Sequence, residues 1–415
     1  MNKRFFCFLQ GPVSHFYNEL ANRLEEKGHC VLRITFCKGD ELFWRHSITS
    51  FKDKLENFSK FFIDFLQKNT ITDIVLIHDC RPHHKIALAI SKEKHIKTWI
   101  IEQGYLRPHY ITIETSGFSA NSPIPKYINF FINYRGKDYH RNTCKTSNGK
   151  NSLLECLIND WPCFKLYPVF CYILYDTLTY IFSFKYKHYQ FHRVNKPFIQ
   201  YLYIIKRIVK NTYTLIRTRI TERTLFSNPQ KSYFFFPLQI SDDFQIREHS
   251  SFKDMPDAIR TVLLSFANHS NKCLLIKAHP LDPLIINYRK FISLLSRSLN
   301  IQDRVFYVGS GHTPTFIRNS SGVVTVNSTV GLQAISHGLP TIALGKAIYN
   351  MEGLTYQGTL DDFWINSSNH IPHHDGYIKF KKYLLDHNQV EGEFFKYKWM
   401  KIGAENCANF IQSNL

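Results

Sequence analysis

Residues 4–36 read RFFCFLQGPVSHFYNELANRLEEKGHCVLRITF, and the order of residue types in this stretch decides the fold. The apolar run 4–9 is bounded by Gln10-Gly11-Pro12, a turn signal, so it reads as a buried strand. Phe16, Leu20 and Leu24 then recur at helical spacing up to Gly28, with Ser14 placed to cap the helix. Residues 30–36 form the next apolar run. Strand, helix and strand joined by short connections predict a right-handed, parallel β-α-β unit.

The same rhythm continues outward. Residues 51–67 read as a helix, 73–77 as a strand ending in His78-Asp79, 82–94 as a helix, and 97–101 as a strand ending in Glu102. This alternation predicts a doubly wound sheet. After Arg135 it stops. Residues 136–151 are polar, 161–184 are densely apolar and aromatic, and a basic stretch follows. There Lys185, Lys187, Arg193, Lys196, Lys206, Arg207, Lys210, Arg217, Arg219 and Arg223 face only Glu222. Alternation returns with strands at 233–236, 273–277, 305–308, 322–326 and 341–344, and helices at 256–267, 285–298 and 329–337. The expected division is a first Rossmann-like domain at 1–135 and a helical basic insert at 136–230. A second Rossmann-like domain follows at 231–363, and helices at 364–415 cross back to the first.

The totals agree with two domains. The chain has 415 residues, 44% of them apolar, which is enough for packed interiors. Its 52 Lys and Arg outweigh 33 Asp and Glu, giving +19 and a surface that attracts anions. No apolar leader with a small-residue cleavage site is read at the start, and the ten cysteines form no Cys-x-x-Cys pair. Reduced thiols in a cytoplasmic protein are the expectation. The insert's apolar run is interrupted by Lys165, Pro168 and Asp176, and falls short of the roughly 20 residues a membrane span needs. Two readings remain for it: an amphipathic segment lying on anionic lipid, or a helical subdomain with a solvated basic face. No recognised nucleic-acid motif accompanies the basic residues.

Ligands of open α/β sheets bind beyond the carboxyl ends of the strands. Chemistry-bearing residues gather at those ends: Gln10-Gly11-Pro12, His78-Asp79-Cys80-Arg81, Glu102-Gln103-Gly104, Lys277-Ala278-His279-Pro280, Gly309-Ser310-Gly311-His312 and Asn327-Ser328-Thr329. Two such sheets facing each other would line one cleft. Lys277 suits a phosphate and His279 a phosphate or ribose, against the plainer reading of a solvated lysine beside a structural His-Pro turn. Ser328 or Thr329 opens a helix whose free N–H groups form an anion site, or serves as an ordinary cap. The small-residue loop at Gly309 is not a Walker A loop, and no Gly-x-Gly-x-x-Gly fingerprint occurs, which disfavours a nicotinamide enzyme. Glu102 and Glu114 offer two carboxylates suited to glycosyl chemistry, unless one pairs with Arg81 or Arg107. His83 and His84 read as helix-start residues, and no Asp-x-Asp or His-x-x-x-His pattern calls for a metal.

Several ordered stretches carry a resemblance. They are Phe8-Leu9-Gln10-Gly11-Pro12, Asp79-Cys80-Arg81 with His84, Glu102-Gln103-Gly104-Tyr105-Leu106-Arg107-Pro108, and Thr112-Ile113-Glu114. They continue with Pro237-Leu238-Gln239, Lys277-Ala278-His279-Pro280, His312-Thr313-Pro314-Thr315, Asn327-Ser328-Thr329-Val330-Gly331 and Gly353-Leu354-Thr355. In these the sequence resembles capsule polysaccharide biosynthesis proteins of the KpsS/LipB type. The resemblance implies a GT-B-like fold and a retaining β-Kdo (3-deoxy-manno-octulosonate) transferase. It would use CMP-Kdo as donor substrate, without a further cofactor, and a phosphatidylglycerol-type lipid as acceptor. It also implies residence on the inner membrane of a Gram-negative bacterium, beside a partner Kdo transferase and a capsule export complex. Carried onto this chain, Lys277, His279, Pro280, His312, Asn327, Ser328 and Thr329 would hold the donor. Glu102, Glu114 or Asp79 would supply the carboxylate, and Arg81, Arg107, Gln10 and Gly11 would meet substrate charge.

Overall fold

The computed structural model describes residues 3–136, 162–189, 217–225, 232–240, 244–280, 282 and 285–415. The chain forms two compact α/β units that interleave along the sequence. Met1–Pro123, Gly136–His192 and Leu384–Leu415 make the first, and Ile124–Arg135 with Arg193–Tyr383 the second. This partition differs from four consecutive segments. The insert does not stand alone, because its helix at Pro162–Ile181 belongs to the first unit, and only the tail beyond Tyr383 returns there.

The first unit contains β1 (Phe5–Phe8), α1 (Phe16–Glu26), β2 (Cys30–Thr35), β3 (Ile48–Ser50), α2 (Phe58–Lys68), β4 (Asp73–Ile77), α3 (Pro82–Glu93), β5 (Lys97–Gln103) and β6 (Tyr110–Glu114). In the second unit, α4 is Ile128–Ile132; α5 of the first unit is Pro162–Ile181. Five strands run parallel in the order β5-β4-β1-β2-β3, and β6 pairs antiparallel to β5. Phe6, Phe8, Val75, Ile77, Trp99 and Ile101 point to one face and form a core with Phe16, Leu20 and Leu24 of α1. That is the period-two and period-3.6 patterning meeting across a layer.

Two expectations change here. The helix expected over 51–67 begins only at Phe58, because the chain remains extended through β3, with Phe51 N donating to Thr35 O at 2.9 Å. The stretch after Glu102 is a hairpin: β5 runs on to Gln103, and the alternating Tyr110-Ile111-Thr112-Ile113-Glu114 returns beside it. Gly104 permits this close return, since a Cβ there would lie 2.5 Å from Tyr110 O.

The second unit continues with β7 (Tyr233–Pro237), α6 (Phe244–His249), α7 (Met255–His269), β8 (Cys273–Lys277), α8 (Tyr288–Ser298), β9 (Val305–Val308), α9 (Thr313–Arg318), β10 (Gly322–Thr325), α10 (Thr329–Ser336), β11 (Thr341–Ala343), α11 (Leu360–Asn366) and α12 (His374–His387). Its sheet is parallel in the order β11-β10-β7-β8-β9. Alternate residues serve two cores. Phe234, Phe236, Leu274, Ile276 and Val324 pack with α7 and α8, whereas Tyr233, Phe235, Leu275 and Val323 pack with Phe316 and Ile317 of α9 and Ala334 of α10. A sheet buried on both faces explains the near-continuous apolar strands. The α/β class read from the sequence is the one observed.

The chain ends with β12 (Gln389–Glu391) and α13 (Tyr397–Ser413), both in the first unit. There β12 pairs antiparallel with β6, and Met400, Ala404, Cys407, Ala408 and Ile411 of α13 complete the first core. Among the described residues, no helix is long and apolar enough to cross a membrane. Of the basic insert residues, Arg193, Lys196, Lys206, Arg207 and Lys210 lie outside the described residues.

Candidate active site

In the first unit, three carboxylates gather near the ends of β4, β5 and β6. The register sets two of them. Glu102 sits opposite Thr112, and Glu114 opposite Ile100, so both carboxylates project from the same sheet face as diagonal neighbours. Glu102 is buried, receives the Gln103 N–H at 2.8 Å, and its Oε2 lies against His78 Nδ1. His78 adopts φ 55°, a left-handed conformation uncommon for a residue with a Cβ, which turns its half-exposed ring toward Glu102.

Glu114 is deeper. Its Oε1 receives the Ser122 hydroxyl at 2.9 Å and the Asn388 amide at 2.8 Å. Burial pushes its carboxyl up to about 8, against those hydrogen bonds, with the nearby Asp79 charge adding to the rise. Asp79 is itself buried and holds the following loop: Oδ2 receives Phe118 N–H at 3.0 Å and Asn121 Nδ2 at 2.9 Å. Tyr105 stacks on Phe118, ring centroids 4.9 Å apart, and its hydroxyl accepts Ser119 N–H at 2.8 Å.

Arg81 caps α3 from a buried position, and its Nε makes no hydrogen bond. A buried guanidinium with a spare donor beside a helix N-terminus favours an anion. His83 and His84 are helix-start residues, as expected. His84 is fully buried, with Nδ1 2.9 Å from His78 O, and burial lowers its pKa well below the ordinary value. Arg107 is exposed and donates to Gln103 Oε1 at 2.6 Å.

Gln10 and Gly11 are placed differently from the expectation of a substrate contact. The Gln10 amide is turned inward among Asp40, Tyr175 and Tyr189, with Nε2 3.2 Å from the Tyr189 hydroxyl. Gly11 leaves room for the Tyr17 ring, which would lie 2.3 Å from an added Cβ.

In the second unit the expected donor residues fall at the carboxyl ends of the parallel strands. β7 has β10 on one side and β8 on the other, so the strand order reverses there, which is where open sheets bind ligands. A reciprocal amide pair bridges that point: Gln239 Nε2 donates to Asn327 Oδ1 at 2.9 Å, and Asn327 N donates to Gln239 Oε1 at 3.2 Å. Asn327 Nδ2 also donates to Gln245 O at 2.7 Å, so Asn327 locks three segments together.

Ser328 is the N-cap of α10, accepting Val330 N–H at 3.3 Å, and Thr329 is the first helical residue. Lys277 ends β8 as a buried residue whose Nζ donates to Ala278 O at 3.3 Å. His279 is half-buried and Pro280 exposed. His312 is exposed, and its Nδ1 lies 2.9 Å from Thr315 Oγ1. Ahead of it, Gly311 has φ 113°, and a Cβ would meet the Phe316 ring at 2.6 Å.

Sequence reasoning missed the surroundings of Glu114. Tyr105 stands inside the Glu102–Pro108 stretch and Ser122 eight residues after Glu114, but nothing in the sequence joins them to Asn388, 274 positions away. Asp40 was missed as well, although it collects Phe36 N–H at 2.8 Å and the Tyr175 hydroxyl at 2.9 Å.

The sequence profile of the capsule polysaccharide biosynthesis protein family matches residues 72–395. The chain belongs to that family. It is 30% identical over 398 residues to the capsule polysaccharide export protein KpsS of Escherichia coli, covering 94% of this chain and 96% of that one. It is 31% identical over 404 residues to the capsule polysaccharide modification protein LipB of Neisseria meningitidis serogroup A, covering 93% and 90%. Among solved structures, the beta Kdo 2,7 transferase KpsC of Thermosulfurimonas dismutans aligns over 99% of both chains at 12% identity, with a TM-score of 0.45. The span shared with the capsule polysaccharide biosynthesis family includes every candidate residue above except Gln10 and Gly11.

Proposed function

We propose that this capsule biosynthesis protein is a retaining glycosyltransferase. It moves Kdo from CMP-Kdo to a phosphatidylglycerol-type lipid, starting the poly-Kdo linker on which a capsule is built and exported. One observation carries the reading: three buried carboxylates converge at one sheet end, and one of them is held protonated to about 8 while its neighbours keep separate partners. Carboxyl groups with divergent environments are what glycosyl transfer with separate nucleophilic and acid–base tasks requires.

The roles divide by environment. Glu114 is protonated at neutral pH, so it is a proton holder rather than a nucleophile. Asp79 is committed to Phe118 N–H and Asn121. Glu102 is then the carboxylate for the anomeric carbon, oriented by Gln103 N–H and His78. Both Kdo and the departing CMP are anionic, which gives Arg81 and Lys277 work as counter-charges. Arg107 extends that charge. His279, His312, Ser328 and Thr329 would contact the nucleotide, with Asn327 holding their strand ends in place and Pro280 shaping the turn.

No cofactor beyond the donor is invoked. The setting is the cytoplasmic face of the inner membrane, beside a partner Kdo transferase and the export machinery. The export label of the Escherichia coli relative favours a second reading, a non-catalytic assembly component on the same scaffold. CMP release from CMP-Kdo by purified protein separates the two. The transferase reading expects release that Glu102→Gln abolishes while CMP binding persists. Absence of release at full CMP occupancy, with acceptor present, supports the assembly reading.

A further inference from the structure

The helix α5 has two unlike faces. Cys171, Tyr175, Asp176 and Thr179 are buried against the first unit, and Tyr186 closes the segment. Tyr175 donates to Asp40 at 2.9 Å, and the Tyr186 hydroxyl donates to Glu41 at 2.7 Å, so the helix is fixed in rotation. The opposite face carries Phe170, Ile173, Tyr180 and Ile181, which are 61%, 40%, 64% and 55% exposed, and Phe184, 61% exposed, follows in the short 3-10 turn after the helix. Within the helix, steps of three, seven and one residues keep the first four side chains on one stripe. No charged group interrupts it. The one acid between 167 and 189 is Asp176, which is 2% exposed.

Cations collect at the carboxyl end of the stripe. Lys185 Nζ lies 5.6 Å from the Phe182 ring centroid and 5.8 Å from that of Phe184, and Lys38 Nζ lies 5.8 Å from Phe182. Lys52 Nζ lies 5.6 Å from Tyr186, and Lys187 is exposed. Glu41 beside them is taken up by Lys38 and Tyr186.

We infer that this face of α5 is the surface by which the protein lies on an anionic lipid bilayer. The aromatic and aliphatic stripe enters the acyl boundary, and the lysines meet the headgroups. Aromatic rings edged by lysine ammonium groups are the pattern of an interfacial segment. The charge of +19 gives the sign of the lipid. The inference gives the membrane residence proposed above a specific surface, and its test needs no donor sugar, so it can fail while the transferase reading stands.

The test is co-sedimentation with vesicles of phosphatidylcholine alone and of phosphatidylcholine with phosphatidylglycerol. The variants are Phe170→Ser with Phe184→Ser, and Lys185→Glu with Lys187→Glu. Circular dichroism and the thermal midpoint of each variant confirm folding, and sedimentation velocity gives its oligomeric state. Wild type is expected on the anionic vesicles and not on pure phosphatidylcholine. The aromatic pair is expected to weaken partitioning by tenfold or more. Removing each lysine charge should weaken it about fivefold, before any repulsion from glutamate. Equal partitioning by folded variants overturns the inference. So does a change in oligomeric state without loss of vesicle binding, which would make this face a contact between copies of the chain.

Discussion

Replacing Glu114 with glutamine should remove a pH dependence that wild type carries. The carboxyl is buried, has an ordinary value of 4.5, and is pushed up to about 8 in the folded protein. The folded state therefore holds a proton that the unfolded chain has lost. The stabilisation from that proton is complete below pH 4.5 and is lost as pH rises from there through about 8. At about 1.4 kcal/mol for each tenfold change, the move from 4.5 to about 8 corresponds to about 5 kcal/mol.

Glutamine keeps an oxygen for Ser122 and Asn388 and has no charge to lose, so Glu114→Gln should be flat over the window. The two units need not unfold together. Hydrogen exchange of peptides from β5 and β6 is therefore the suitable assay, with wild type compared with variant at each pH. The difference in protection should fall steadily between pH 5 and 8. A constant difference would mean that Glu114 titrates as an ordinary carboxylate, and the proton-holding role would fall with it.

Three further outcomes follow from the geometry. Gly331→Ala should destabilise the second unit by about 1–3 kcal/mol, because the new Cβ would lie 2.3 Å from the buried Tyr349 hydroxyl that bonds Ser328 O; the thermal midpoint reads it. Tyr175→Phe should cost about 1–3 kcal/mol by depriving Asp40 of a donor, read as faster proteolysis within 162–189. Lys277→Ala should weaken CMP binding about 10- to 100-fold in calorimetry, with the fold retained, if the strand-end lysine faces the donor phosphate.

The legible parts of this protein are those in which local pattern and tertiary role agree. Residues 4–36 are strand, helix and strand because apolar spacing and Gly28 point the same way, and α7 with β8 were legible from the same spacing; in the structure Asp254 caps α7 by accepting Asp257 N–H at 2.9 Å. Asn327-Ser328-Thr329 was legible for the same reason, as a cap after a strand. The β5–β6 hairpin was obscured by Pro108 and Gly104, which look like a loop but form its turn. The short strands β3 and β12 pair at the edges of the sheet and have no apolar run of their own. Gln10 looked like a ligand contact because it follows a strand, yet its amide is taken by Asp40, Tyr175 and Tyr189, and Tyr175 and Tyr189 lie beyond residue 165. Asn388 beside Glu114 is equally non-local, 274 positions along the chain.

The most direct test of the transferase reading is the intact mass of the acceptor. Purified protein is incubated with CMP-Kdo generated in situ and a short-chain phosphatidylglycerol, with Glu102→Gln and Glu114→Gln run beside it. The account predicts a gain of one Kdo with wild type, none with Glu102→Gln, and a changed pH profile with Glu114→Gln. An unchanged acceptor mass with folded protein and intact donor, or full transfer by Glu102→Gln, would contradict it.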